Sequence, residues 1–245
     1  MKGFFRRIFE SRNEEARNEW IANALKAIPQ GARILDAGAG EQRLKKLCSD
    51  LKYVSQDFAA YDGKGDEQGL QTSKFDYGEL DIISDITDIP EPDGSFDAIL
   101  CIEVLEHVPD PIGAVKELSR LLSPGGRLIL TAPFCSFTHF SPYHFSTGFS
   151  KYWYEEHLTS AGFNIESMEA NGDFFSFVSQ ELTRVPSVSK TYVGRNVNIF
   201  EKLLLGLVVI LLRRISRRGG KPSAELACFG YHTLAVKEFF VDESK

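Results

Sequence analysis

The chain has 245 residues, 43% hydrophobic and 25% charged, which suits one α/β domain of residues 1–245 with an insertion and a full core, and argues against two independent domains. Its formal charge of −6 lacks the basic excess with which dedicated nucleic-acid binders neutralise phosphates, so no nucleic-acid partner is expected. Cys48, Cys101, Cys135 and Cys228 form no C-x-x-C pair and have no histidine at zinc spacing, so neither a metal site nor a disulfide framework is expected, and a reducing, cytoplasmic setting is.

The first residues, Met1-Lys2-Gly3-Phe4-Phe5-Arg6-Arg7-Ile8-Phe9, are basic and aromatic but lack an adequate apolar run or a small-residue cleavage site, so no signal peptide is expected. Residues 1–30 read as an N-terminal helical segment. Trp20, Ile21, Ala24 and Leu25 recur at helical spacing, which predicts a helix from Glu14 to Ala27, closed by Pro29 and Gly31. Strands are predicted at Ala32 to Asp36, Tyr53 to Asp57, Asp81 to Ser84, Phe96 to Glu103, Arg127 to Ala132, Phe163 to Glu169 and Phe229 to Val236. Helical patterns fall around Leu44 to Leu51, Ile112 to Leu122 and Lys151 to Ala161. Strands separated by helices imply a mainly parallel, doubly wound sheet, which binds ligands beyond the carboxyl ends of its strands.

Residues 33 to 43, Arg33-Ile34-Leu35-Asp36-Ala37-Gly38-Ala39-Gly40-Glu41-Gln42-Arg43, carry the strongest functional signal. An apolar strand delivers an acid to the sheet edge, and glycines without Cβ let the backbone approach a ligand before the next element begins. The dinucleotide fingerprint G-x-G-x-x-G would need glycine at Arg43 and has no use for an acid two residues before its first glycine. A carboxylate at Asp36 suits a ligand carrying an ammonium group. Asp57, 21 residues further on, matches the acid that accepts ribose hydroxyls in Rossmann-like sites, with Phe58 beside it.

With the rest of the chain in register, the glycine segment resembles motif I (D/E-x-G-x-G) of the class I S-adenosylmethionine-dependent methyltransferases, close to the group that includes the ubiquinone-biosynthesis methyltransferases. Three further segments carry the resemblance: Pro92-Asp93-Gly94-Ser95-Phe96-Asp97 before the fourth strand, Glu103-Val104-Leu105-Glu106-His107-Val108, similar to the family's "EVLEH", and Ser123-Pro124-Gly125-Gly126, its "L-x-P-G-G" turn. It covers about residues 17 to 170 and the last strand. The resemblance implies a Rossmann-like, seven-stranded sheet with an antiparallel last strand. It implies S-adenosylmethionine as cofactor, held by Asp36, Gly38, Ala39, Gly40 and Asp57. Asp85 would accept from the adenine amino group, with the Ile86 amide facing the ring, and the Cys101 backbone would line the methionine pocket. Position 42, glycine in many members, is Gln42 here, a side chain that would crowd the methionine end or bond to it. Asp88, Asp93 and Asp97 read as turn and cap residues. Glu106 and His107 read equally as helix-start residues beneath the cofactor or as catalytic groups.

Methyl transfer from a sulfonium is an in-line displacement, so the protein's main task is alignment, and hydroxyl acceptors add the need to remove a proton. After the fifth strand come His139, Tyr143 and His144 among phenylalanines, an acceptor pocket with a candidate base in which His144 ranks first and His139 and Tyr143 follow. The alternative is that the histidines only orient the loop. Pro142 to Phe149 lacks the aspartate and arginine of the family's "P-x-D-x-x-R-x-T" segment. Residues 171–226 interrupt the family's last two strands as a helical insertion. Within it Ile199 to Leu212 is almost wholly apolar and is followed by Arg213, Arg214, Arg217 and Arg218. It is too short for the ~20 residues of a bilayer span; core packing, a homodimer face and peripheral membrane contact through 199–218 remain open. The expected activity is methyl transfer to a small-molecule or carrier- or lipid-linked acceptor, with oxygen preferred. The competing reading is a non-catalytic S-adenosylmethionine-binding module acting through a partner protein.

Overall fold

The computed structural model describes residues 12–239; the basic N-terminal stretch at 1–9 lies outside them. The described chain forms two compact units, one of Asn18–Glu169 with residues 230–239 and one of residues 12–17 with Ala170–Phe229.

The first unit is built on a seven-stranded sheet of β1 (Arg33–Ala37), β2 (Lys52–Asp57), β3 (Ile82–Ile83), β4 (Phe96–Ile102), β5 (Leu122–Pro133), β6 (Phe163–Asn171) and β7 (Gly230–Lys237), in the order β3-β2-β1-β4-β5-β7-β6. The pairs from β3 across to β5 are parallel and β7 runs antiparallel to β5. This is the predicted sheet. Ile34, Leu35, Ala98, Ile99, Leu100, Leu128 and Ile129 are fully buried, as expected of parallel strands covered on both faces, whose sequences run apolar without alternation.

Helix α1 (Asn13–Leu25) places Ile21 and Leu25 in a cluster with Ile34, Cys48, Leu100 and Ile129. Helix α2 (Pro111–Leu121) begins where Asp110 accepts the Gly113 amide at 2.8 Å and Pro111 presets the first turn. Its buried Ala114, Val115, Leu118 and Leu121 form one stripe at the helical period. Helix α3 (Lys151–Ser160) buries Tyr154 and Leu158. The helix expected over Leu44 to Leu51 is one 3-10 turn, Lys45–Cys48, since so few residues cannot recover the cost of nucleating an α-helix. The third strand is similarly trimmed to Ile82–Ile83, pairing only with Gln56 and Asp57.

In register, Leu35 faces Val54 on one side and Ile99 on the other. Parallel pairing therefore brings the carboxyl ends of β1, β2 and β4 to one edge, on either side of the point where strand order reverses. That edge is where the fold accepts a ligand.

In the second unit, α4 (Phe174–Val188) starts at Asp173, whose side chain accepts the Ser176 amide at 2.8 Å. A π turn, Ser189–Val193, ends at Gly194, and α5 (Ile199–Arg217) opens with a reciprocal Asn198 and Glu201 capping box. Ser216 donates to Asp173 Oδ2 at 2.6 Å, joining the end of α5 to the start of α4.

Leu100 lies mid-strand with no exposure. Leu100→Ala is expected to lower unfolding free energy by about 2–5 kcal/mol, read from the midpoint of urea denaturation at unchanged slope.

Candidate cofactor and acceptor site

At the carboxyl edge of the sheet, the chain leaves β1 in a tight turn whose amides rest on β2. Gly38 and Ala39 donate to Gln56 O at 2.9 and 2.8 Å, and Gly40 donates to Asp57 Oδ2 at 2.9 Å. Gly38 has φ +77°, and a Cβ there would stand 2.5 Å from a Val104 methyl; a Cβ on Gly40 (φ +51°) would press on Phe75 at 3.2 Å. Both positions need the left-handed backbone and the missing side chain.

The turn forms one wall of a cavity of about 310 Å³, within the range of small-molecule sites. Of the residues singled out from the sequence, Gly38, Gly40, Asp57, Phe58, Asp85, Ile86 and Tyr143 line it; Asp36, Ala39, Gln42, Cys101, His139 and His144 do not. Asp57 also accepts the Ala59 amide on Oδ1 at 3.1 Å. A carboxylate has about four acceptor positions, so both oxygens keep capacity for a diol. Burial raises the Asp57 pKa, opposed by its hydrogen bonds to backbone amides. Asp85 Oδ1 accepts from the Thr87 amide and hydroxyl, both at 2.8 Å.

Asp36 is 3% exposed and accepts the Tyr53 hydroxyl at 2.6 Å. Burial pushes its pKa up from 3.8 to about 6, against the Tyr53 hydrogen bond and with the help of the Asp57 charge. Gln42 adopts the left-handed conformation at φ 53°. Its amide donates to Tyr77 O and Glu79 O, both at 2.7 Å, and accepts from Lys45 at 2.9 Å. The side chain therefore fastens the segment that follows β2 over the glycine turn.

Most of that segment, residues 59–80, was silent in the sequence because it has no periodicity. Its aromatic residues supply much of the lining. Tyr61, Phe75 and Tyr77 form edge contacts, and Phe140 stacks between Tyr61 (4.5 Å) and His107 (5.1 Å). The loop after β5 is zipped to it: Leu70 donates to Thr138 O at 2.9 Å, Phe140 to Leu70 O at 3.2 Å, and the Ser141 hydroxyl to Asp66 at 2.9 Å. Gln56, Glu103 and His107 are further lining residues.

His107 stands on the cavity wall within the 3-10 turn Leu105–His107. Its Nδ1 bonds Tyr143 O, and His139 Nδ1 bonds Phe137 O at 2.8 Å. Donating to these carbonyls turns each Nε2 toward Glu106 Oε1, at 3.7 and 4.0 Å. Burial, then the neighbouring His139, lowers the His107 pKa to about 3, so its ring is neutral at pH 7. Glu106, His107 and His139 bring one ligand atom each within 4.8 Å of one another. Imidazoles fixed through Nδ1 on carbonyls, beside a carboxylate, are a donor set suited to a divalent cation. His144, ranked first as a base, instead shares Nε2 with the Ser136 hydroxyl at 3.1 Å. No metal site was expected from the cysteine pattern; Glu106 and His107 are neighbours in one turn, and His139 joins them only through the loop after β5.

The strand order, glycine turn and edge carboxylates define a Rossmann-like α/β protein with a nucleotide-type pocket. A family model described as a methyltransferase domain matches residues 9–184, and the chain belongs to that family. A ubiquinone biosynthesis O-methyltransferase of Xanthomonas oryzae pv. oryzae is 39% identical over 105 residues, covering 41% of this chain and 43% of the relative. The chain thus matches less than half of that relative's length. Among solved structures, a SAM-dependent methyltransferase from Archaeoglobus fulgidus superposes with TM-score 0.54 at 13% identity, over 96% of this chain and 99% of that one. The [4+2]-cyclase SpnF superposes at 0.53 and 19%, over 94% and 83%. Such distant likenesses show the fold alone, and activity has to be argued from the site.

Between about pH 4 and 6 the folded chain holds a proton on Asp36 that the unfolded chain has released, so this group's contribution to stability falls as pH rises through that window. Asp36→Asn is expected to be more stable than the parent by roughly 1–3 kcal/mol near pH 8, with the gap closing toward pH 4. Denaturant melts across that range check the sign.

Proposed function

We propose that this chain is an S-adenosylmethionine-dependent methyltransferase acting on a hydroxyl of a small-molecule or lipid-linked acceptor. The observation that carries the reading is a single cavity with a nucleoside-shaped half, made by the glycine turn, Asp57 and Asp85, and an acceptor half walled by His107 and Tyr143. The residues fit the donor. Asp57 takes the ribose diol, Asp85 and the Ile86 amide take the adenine edge, and the space that a side chain on Gly38 or Gly40 would fill takes the methionine portion. Asp36, buried as an anion under the turn, gains from a cation above it and so favours the ammonium end. The donor supplies an activated methyl group whose departure leaves a neutral thioether.

The protein's own work is to align the acceptor oxygen with the methyl carbon and to manage the hydroxyl proton. Phe58, Tyr61, Phe75 and Phe140 exclude water, which strengthens electrostatic effects inside. A neutral His107 with so low a pKa is a weak proton acceptor. A divalent cation held by Glu106, His107 and His139 would answer this, because a bound cation lowers the pKa of an adjacent hydroxyl. The curated relative's name, O-methyltransferase, points to the same acceptor atom.

Calorimetry with S-adenosylmethionine on the purified chain is expected to give saturable binding, reduced at least about tenfold in Asp57→Ala with unchanged circular dichroism. Equal binding by the variant would remove the ribose assignment. Methyl release to a panel of phenols and catechols should then be detectable. Chelation is expected to slow that turnover, zinc or manganese to restore it, and Glu106→Gln to abolish the rescue while leaving donor binding within about twofold. Turnover indifferent to chelator would leave proton removal to the imidazoles alone.

A further inference from the structure

We propose that α5 docks the chain on the surface of an anionic lipid bilayer, lying flat in the interface through one apolar face that ends in arginines. Phe200, Leu204, Leu207 and Leu211 follow one another at steps of four, three and four residues and are 55–79% exposed, with Leu203 and Ile210 beside them at 46% and 44%. The opposite side of the helix, with buried Gly206 and Val209, packs on α4. One apolar side thus serves the unit's own packing, and a second faces solvent.

Charge fixes the kind of surface this face meets. Continuing the same stripe by steps of three and four residues reaches Arg214 and Arg218, both exposed. The only acid of α5, Glu201, is held by Arg195 and by the Asn198 amide at 2.8 Å. Residues 171–226 contain nine lysines and arginines against four acids, a net +5 within a chain of net −6. Basic charge is thus concentrated in the helical unit, while the remainder of the chain, at −11, is repelled by an anionic surface.

A bilayer interface meets both halves of this pattern. Its acyl boundary takes the leucines and the phenylalanine, and its anionic headgroups take the arginines, the two signals whose combination makes peripheral binding stable. From Phe200 to Leu211 the stripe is about 17 Å long at 1.5 Å per residue, and no helix of the described residues is long and apolar enough to cross a membrane. A nucleic acid would answer the arginines and leave the leucines in water. A second copy of the chain would cover the leucines, but antiparallel pairing of α5 sets Arg214 and Arg218 against Arg195 and Lys202, and parallel pairing sets them against themselves. Cation meets cation either way.

The test uses the full chain and phosphatidylcholine vesicles with and without phosphatidylserine. Co-sedimentation is expected with the anionic vesicles and should fall as salt is raised on the unaltered chain. Arg214→Gln with Arg218→Gln should weaken it roughly 30-fold, at ~1 kcal/mol per cation. Leu204→Gln with Leu211→Gln should cost at least about tenfold. Lys46→Gln with Lys116→Gln removes the same charge from the first unit and should change binding by less than about twofold. All six positions are exposed, and unchanged circular dichroism of each variant keeps loss of binding separate from loss of fold. Binding that ignores phosphatidylserine and salt, or equal losses in the arginine and lysine pairs, would overturn the proposal. A chain that binds neither vesicle would overturn it as well, and a dimer dissolved by the leucine pair in sedimentation velocity would then assign the face to a second copy.

Discussion

The site depends on one contact, the seating of the glycine turn on the end of the second strand. Gly38, Ala39 and Gly40 spend three successive amides on Gln56 O and the Asp57 carboxylate. That contact fixes the height of the turn above the sheet and orients Asp57 into the cavity. It requires parallel pairing of β1 with β2 in the observed register, Asp36 beside Ser55. A slip of one residue would turn the acids to the wrong face. Gln56 is itself held, its amide donating to Ser84 O at 2.7 Å, so the edge strand β3 and with it Asp85 are referenced to the same point.

Electrostatics divides the site into two parts of different character. Around Asp36 and Asp57, burial makes negative charge costly and primes the pocket for a cationic ligand. At His107, burial and the neighbouring imidazoles keep the ring neutral, as a ligand or hydrogen-bond acceptor. These opposite biases lie in one aromatic enclosure. The pairing suits a reaction in which a positively charged donor meets a hydroxyl, since the donor's charge is lost as the methyl group leaves.

Much of this was legible in the sequence. The strands followed from apolar runs, predicted at Ala32 to Asp36 and Phe96 to Glu103 and found at Arg33–Ala37 and Phe96–Ile102, and the position of Asp57 from its distance to Asp36. Boundaries moved where local chemistry decides: Asp110 with Pro111 starts α2 one residue earlier than periodicity suggests, and the short segment after Arg43 settles for a 3-10 turn. The acceptor side was harder to read. Tyr61, Phe75 and Tyr77 sit in an aperiodic segment that acquires its place only through cross-loop hydrogen bonds to residues 138–141, some 70 positions away. His107 and His139 are likewise brought together by tertiary contact, so the spacing between them carried no signal. Gln42 was legible as a departure from the family pattern, yet its partners at Tyr77 and Glu79 were not.

The most direct test is a crystal structure of the chain grown with S-adenosylhomocysteine. The account predicts the ribose diol within hydrogen-bond distance of Asp57, the purine against Ile86 with its amino group at Asp85, and the sulfur facing His107 and Tyr143. A product bound elsewhere, or an edge that takes up a nicotinamide or flavin dinucleotide in its place, would contradict it.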